Sequence, residues 1–116
     1  MKTTNILGID VSKDTLDCHL YLQRKSLEEV TNDEKGYRKL CTWLKKFKLE
    51  MEQLLVVMEY TGIYTYGLER YLHKESIAFV KRPALDIKRS LGMIRGKTDR
   101  ADAKFISRYG WMRKMN

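Results

Sequence analysis

Ile6-Leu7-Gly8-Ile9-Asp10-Val11 is a short apolar run with one carboxylate inside it. Aliphatic and β-branched residues bounded by polar ones read as a buried strand. Aspartate is disfavoured in strands, and a buried carboxylate without a partner is costly or shifts its pKa. Two readings of Asp10 therefore stand on local grounds. Either the strand ends early and Asp10 begins a turn, or the acid is held inside the strand for its chemistry.

Working outward, Lys13-Asp14-Thr15 reads as a turn. Leu16, Cys18, Leu20 and Leu22 then alternate with Asp17, His19, Tyr21 and Gln23, the period of a half-buried strand. A second turn at Arg24-Lys25 and a weaker strand over 27–31 complete an antiparallel meander. Thr31 and Glu34 have capping-box spacing, and Tyr37, Leu40, Cys41, Leu44 and Phe47 follow at helical intervals, predicting a helix over 33–47. Leu54 to Met58 is continuous, apolar and too short for a helix, which suits a central strand covered on both faces. Thr61-Gly62 opens a second helix with the stripe Tyr64, Leu68, Tyr71 and Leu72. A strand over 77–80, a short helix from Pro83 through Leu91 and a last helix over 99–111 complete the order, with Gly92 and Gly96 loosening the join. Strands in succession followed by strand–helix alternation predict an α/β fold, a mixed sheet with helices on its faces. With no repeat, low-complexity tract or linker, residues 1–116 read as a single domain.

The bulk properties exclude several classes. Hydrophobic residues make up 43% and charged residues 33%, a globular balance rather than a disordered one. No apolar run approaches the roughly 20 residues of a membrane span, and the first residues lack the zones of a signal peptide. Cys18 and Cys41 have no metal-type spacing, so the reading is reduced thiols in a cytoplasmic protein. His19 and His73 are isolated and read as core or surface residues. The net charge of +8 is concentrated: residues 77–116 carry 11 lysines and arginines against 3 acids, while residues 1–76 balance at 12 of each. A basic field of this kind is either a solvated face or an attractor of polyanions.

Two of those three acids, Asp99 and Asp102, are three residues apart and would share a helix face. Stepping back from the stripe Phe105, Ile106, Tyr109 and Met112 places Asp102 on the inward side, where it must meet a cation, a donor or a metal. Asp99 also suits an N-cap or a first-turn acid. Glu59 closes the second apolar strand, either as an ordinary strand-end carboxylate or at the carboxyl end of a central strand where open α/β sheets place ligands. Together, Asp10, Glu59, Asp99 and Asp102 suit hard divalent cations, since Mg2+ or Mn2+ prefers carboxylate oxygen and leaves room for phosphate. Two such ions can activate an attacking oxygen and stabilise a leaving one in phosphodiester cleavage. No triad, phosphate-binding glycine loop or zinc site competes.

Gly8-Ile9-Asp10-Val11-Ser12-Lys13, Val57-Met58-Glu59-Tyr60-Thr61-Gly62 and Lys97-Thr98-Asp99-Arg100-Ala101-Asp102-Ala103 closely resemble, in order, the DEDD transposases of bacterial and archaeal insertion sequences. Pilin-gene DNA invertases belong to the same broader group. The Lys-Thr-Asp-x-x-Asp-Ala block is the most specific of the three. The resemblance implies an RNase H-like fold of the RuvC type, with Asp10, Glu59, Asp99 and Asp102 as the four catalytic, metal-binding acids. It implies Mg2+ (or Mn2+), DNA strand cleavage and exchange in transposition, an element-encoded guide RNA as a further partner, and a homo-oligomer in the full-length protein. Family members continue into a second domain bearing a serine nucleophile, so this chain reads as the N-terminal part of a longer transposase. Lys81, Arg82, Lys88, Arg89, Arg95, Lys97 and Arg100 are expected to hold nucleic-acid backbone near the metals, positioning it without reading sequence. Two other classes keep a place. One is a nucleic-acid-binding module without turnover. The other is an actin-like or sugar-kinase ATPase, disfavoured because Val11-Ser12-Lys13 stands where that class needs glycine.

Overall fold

The apolar run around Gly8 pairs on both sides. In the computed structural model, which describes residues 3–60, 62–90 and 102–114, β1 (Asn5–Val11) lies antiparallel to β2 (Thr15–Leu20), which lies antiparallel to β3 (Lys25–Thr31). The β1–β2 turn is closed by Ser12, whose backbone N–H and hydroxyl both donate to the Thr15 carbonyl at 2.9 Å. Arg24 takes the left-handed backbone conformation in the next turn, with φ of 56°.

On its other edge β1 lies parallel to β4 (Leu54–Glu59), and β4 lies parallel to β5 (Ala78–Arg82). The sheet order is β3-β2-β1-β4-β5. Parallel neighbours need crossovers. Here α1 (Glu34–Lys45) lies between β3 and β4, and α2 (Tyr66–Lys74), preceded by the 3-10 turn Gly62–Thr65, lies between β4 and β5. Then come α3 (Ala84–Ser90) and α4 (Ala103–Lys114). The mixed five-stranded α/β sheet is the one expected.

Strand alternation divides the core in two. Leu7, Ile9, Val11, Leu16, Cys18, Leu20, Val56 and Met58 point to the side of α1 and α2, and meet Leu40, Leu44, Leu68 and Leu72. Ile6 and Val57 point to the other side and meet Ile87 of α3 with Ile106 and Tyr109 of α4. Gly8 belongs to this second side. A Cβ there would overlap the Ala103 carbonyl oxygen and the Ser107 backbone nitrogen, and would stand 2.9 Å from Ser107 Cα. Glycine at this position is what lets α4 lie on the sheet.

Several local expectations shift. The cap of α1 is Asp33, not Thr31: its carboxylate accepts from Gly36 N–H at 3.0 Å, and Thr31 Oγ1 donates to it at 2.7 Å. Thr31 thus steadies the cap instead of forming it. Leu22 and Tyr64 are exposed. The polar face of β2 is not fully solvated, because α4 packs over it and buries His19. Met112 is exposed, and the inward stripe of α4 is Ala103, Ile106, Ser107, Tyr109 and Gly110.

Candidate metal centre and nucleic-acid interface

Strand register places the first two acids. Ile9 and Met58 are the last paired residues of β1 and β4, so Asp10 and Glu59 each follow that pair at the same end of the two strands. Both follow the alternation of Ile6, Gly8 and Val57, so both point to the face that carries α4. Glu59 is 4% exposed and Asp10 is half-buried.

α4 brings the third acid to the same end. Its Gly110 lies over Ile6 and Val57, while Ala103 and Ser107 lie over Gly8. The helix therefore runs antiparallel to β1. Two residues along a strand cover about 6.7 Å and four along a helix about 6 Å. Asp10 accordingly stands near the level of Asp102, just ahead of the helix. Asp102 lies outside α4 and caps it, with Oδ1 accepting from Phe105 N–H at 2.9 Å. That corrects the expected place inside the helix on its inward stripe, since the helix begins later than the apolar spacing suggests. A carboxylate has about four lone-pair sites, so one capping bond does not exhaust it. The N-terminal end of α4 also adds a positive dipole at this edge.

The structure thus places Asp10 and Glu59 near the ends of β1 and β4, on the α4 side of the sheet, and Asp102 at the N-terminal end of α4. Asp99 lies outside the described residues. Among the described residues no group of three or more histidines, cysteines or carboxylates is placed to hold a metal ion, so Asp10, Glu59 and Asp102 do not by themselves converge as such a group. Register also shows a neighbour that sequence reading passed over: Asp17 is the cross-strand partner of Asp10. Its Oδ1 accepts from Glu29 N–H at 2.8 Å, which ties it toward β3.

His19, the cross-strand partner of Gly8, is 7% exposed, with Nδ1 2.7 Å from Ser26 Oγ. Burial pushes its pKa below the ordinary value; Lys104 lowers it further and Asp102 opposes the shift. The unfolded chain then binds the proton more readily than the folded one. Stability should be full above the unfolded value of about 6.5 and fall as pH drops through it. Urea unfolding between pH 7.5 and 5.5 is expected to give a flatter pH profile for His19→Gln than for the parent. Parallel profiles would dismiss this role.

The expected basic residues separate. Lys81 points to the α2 side, where its Nζ pairs with Glu69 at 3.0 Å and lies 4.6 Å from the Tyr60 ring centre. The Glu69 hydrogen bond holds its pKa above the ordinary value. Arg82, paired in register with Glu59, lies on the α4 side. With Asp86, Arg89, Ser90, Tyr109 and Arg113 it lines a recess of about 220 Å³. Arg113 was not singled out from sequence, because nothing in the spacing tells that α4 returns it to the α3 side. Lys88 is half-buried on α3, and Arg95, Lys97 and Arg100 lie outside the described residues.

The family model for DEDD transposases of the IS110 type, described as "Transposase", matches residues 7–116. The chain belongs to this family. Membership in the DEDD transposases agrees with the mixed sheet, which is the RNase H-like fold expected from the sequence. Among relatives, the pilin gene-inverting protein of Moraxella bovis is 31% identical over 108 residues, covering 90% of this chain and 33% of that protein. The pilin gene-inverting protein of Moraxella lacunata matches with the same identity and coverage. The chain spans about a third of the length of these relatives. Among the described residues, no helix is long and apolar enough to cross a membrane.

Proposed function

We propose that this DEDD transposase chain carries the divalent-metal site of a DNA recombinase, with Asp10, Glu59, Asp99 and Asp102 supplying carboxylate oxygens for Mg2+ or Mn2+. The observation that supports the reading is that Asp10 and Glu59 each follow the last paired residues of neighbouring parallel strands and point to the α4 side of the sheet. The donor set fits the ion, since hard divalent cations select oxygen and a pair of adjacent carboxylates offers opposed charge at short range. When bound, such an ion polarises a phosphodiester and lowers the pKa of the attacking oxygen. Asp10 is held by β1 and Glu59 by β4, so their separation is set by sheet geometry and needs no loop to close. Asp102 is fixed by its capping bond to Phe105. The relatives' names, as pilin gene-inverting proteins, support DNA as the substrate.

A Mn2+-soaked crystal is expected to show anomalous density at the carboxylates of Asp10 and Glu59, with Asp102 in reach. Density confined to other acids would overturn the assignment.

Arg82 and Arg89, on the α4 side of the sheet, are proposed to hold phosphates beside those acids. Neutralising each to glutamine should weaken binding of all DNA sequences alike and reduce the slope of log affinity against log salt by about 0.9. Fluorescence anisotropy across a salt series measures it. A loss restricted to one sequence would instead indicate base reading.

A further inference from the structure

A second recess lies on the opposite flank of α4, over β2. It measures about 390 Å³ and is lined by His19, Tyr21, Leu22, Arg24, Lys104 and Arg108. Lys104 and Arg108 stand one helical step apart on α4, about 6 Å along its axis. Arg24 reaches the recess from the β2–β3 turn, whose backbone at that residue is left-handed. All three cations are exposed. None of the three takes part in the Arg38–Glu34 or Lys81–Glu69 ion pairs. Three exposed cations around one concavity, without an acid in its lining, make a field that small counterions or a polyanion must neutralise.

The position of the recess matters as much as its charge. Its His19 is the register partner of Gly8, two residues behind Asp10 on β1, and Tyr21 N–H donates to the Ile6 carbonyl. Because α4 runs antiparallel to β1, Lys104 is the cation nearest the Asp10 end and Arg108 lies one turn farther back. Arg24, beyond the end of β2, lies farthest from the acids. The cations thus form a file over β2, on the sheet face shared by Asp10 and Glu59. The floor is firm, because Tyr21 stacks on Trp111 with ring centres 5.0 Å apart and planes inclined by 17°. A firm, concave, cationic file of this kind matches a chain of repeated single negative charges better than a compact anion.

We propose that Arg24, Lys104 and Arg108 form a binding track for the phosphodiester backbone of a nucleic-acid strand, on the flank of α4 opposite Arg82 and Arg89. That the track leads toward Asp10 and Glu59 rests on the metal-site reading above. The binding itself does not, and its test is run in EDTA so that the two can fail separately. Recognition is of phosphate, so DNA and RNA are both chemically suitable sources.

The experiment compares the parent, the triple variant Arg24→Gln/Lys104→Gln/Arg108→Gln and a charge-matched control, Lys35→Gln/Lys39→Gln/Lys46→Gln. The control residues are exposed on or beside α1, across the sheet. Each protein is titrated by anisotropy, over a salt series, against duplex DNA, single-stranded DNA and single-stranded RNA of one length. The triple variant should lose a salt slope of about 2 to 3 on duplex DNA, or about 2 on a single strand, while the control stays near the parent. The probe that shows the largest loss identifies the strand the track takes. If the triple variant tracks the control on all three probes, charge acts diffusely and the proposal is overturned. Should the triple variant unfold, Lys104→Gln and Arg108→Gln singly carry the same test, each with an expected slope loss of about 0.7 to 0.9.

Discussion

Replacing Gly8 by alanine is expected to destabilise the protein by about 3 kcal/mol, the upper end of the range for overpacked cores. The added methyl would overlap backbone atoms of Ala103 and Ser107, and a helix backbone cannot rotate aside as a side chain can. α4 must lift as a body, taking Ile106 and Tyr109 out of the second core. Gly110→Ala provides the internal comparison. Its Cβ would approach Val57 Cγ2 at 2.7 Å and Ile6 Cγ2 at 2.8 Å, both ends of side chains. Replacing a helical glycine also recovers up to about 1 kcal/mol of propensity. Gly110→Ala should therefore cost less than Gly8→Ala by at least about 1 kcal/mol. Urea unfolding gives both values, and near-ultraviolet circular dichroism reports whether the Tyr21–Trp111 stack survives. Equal costs, or a Gly8→Ala protein with native stability and stacking, would show that α4 does not depend on this contact.

The same contact explains what could and could not be seen in the sequence. The elements were legible because their signals are local. Leu16, Cys18 and Leu20 alternate, Tyr37, Leu40 and Leu44 recur at helical spacing, and the run from Leu54 to Met58 needs cover on both faces. The acids on strands were legible for a related reason. A carboxylate at Asp10 or Glu59 breaks an apolar pattern, which singles it out whatever its role. What stayed hidden depends on pairing between distant segments. Nothing in the spacing tells that Gly8 faces α4 or that Asp17 falls opposite Asp10. The start of α4 was misplaced because Phe105, Ile106 and Tyr109 can be stepped backward indefinitely, while a helix ends where a cap satisfies its first N–H groups. Asp102 supplies that cap, so an acid read as part of an inward stripe sits at the rim. Arg24, Lys104 and Arg108 were missed because a file of cations contributed by a turn and a helix has no sequence period at all.

With the metal site proposed above, Asp10→Asn is expected to abolish most of the stabilisation that Mn2+ would confer. An ion that binds only the folded chain stabilises it by about 2.7 kcal/mol at a hundred times its dissociation constant. For a domain of this size that raises the melting temperature by roughly 10 °C. Loss of an outer-shell partner alone weakens metal binding by about 10- to 100-fold, so removing a ligating charge should cost at least the larger factor. At the same Mn2+ concentration the variant would then retain only about 0.4 kcal/mol, a shift of roughly 2 °C. Glu59→Gln should behave alike, because the proposed site takes both acids, which follow the last paired residues of β1 and β4. Glu28→Gln, an exposed acid on β3, should keep the full shift and so measures the nonspecific effect of losing one negative charge. Thermal denaturation with and without Mn2+ decides among these outcomes. A parent-like shift in Asp10→Asn would mean that the paired strand ends do not hold the ion. A loss confined to Asp10→Asn, with Glu59→Gln unaffected, would mean that adjacency in the sheet does not make the two carboxylates a shared site.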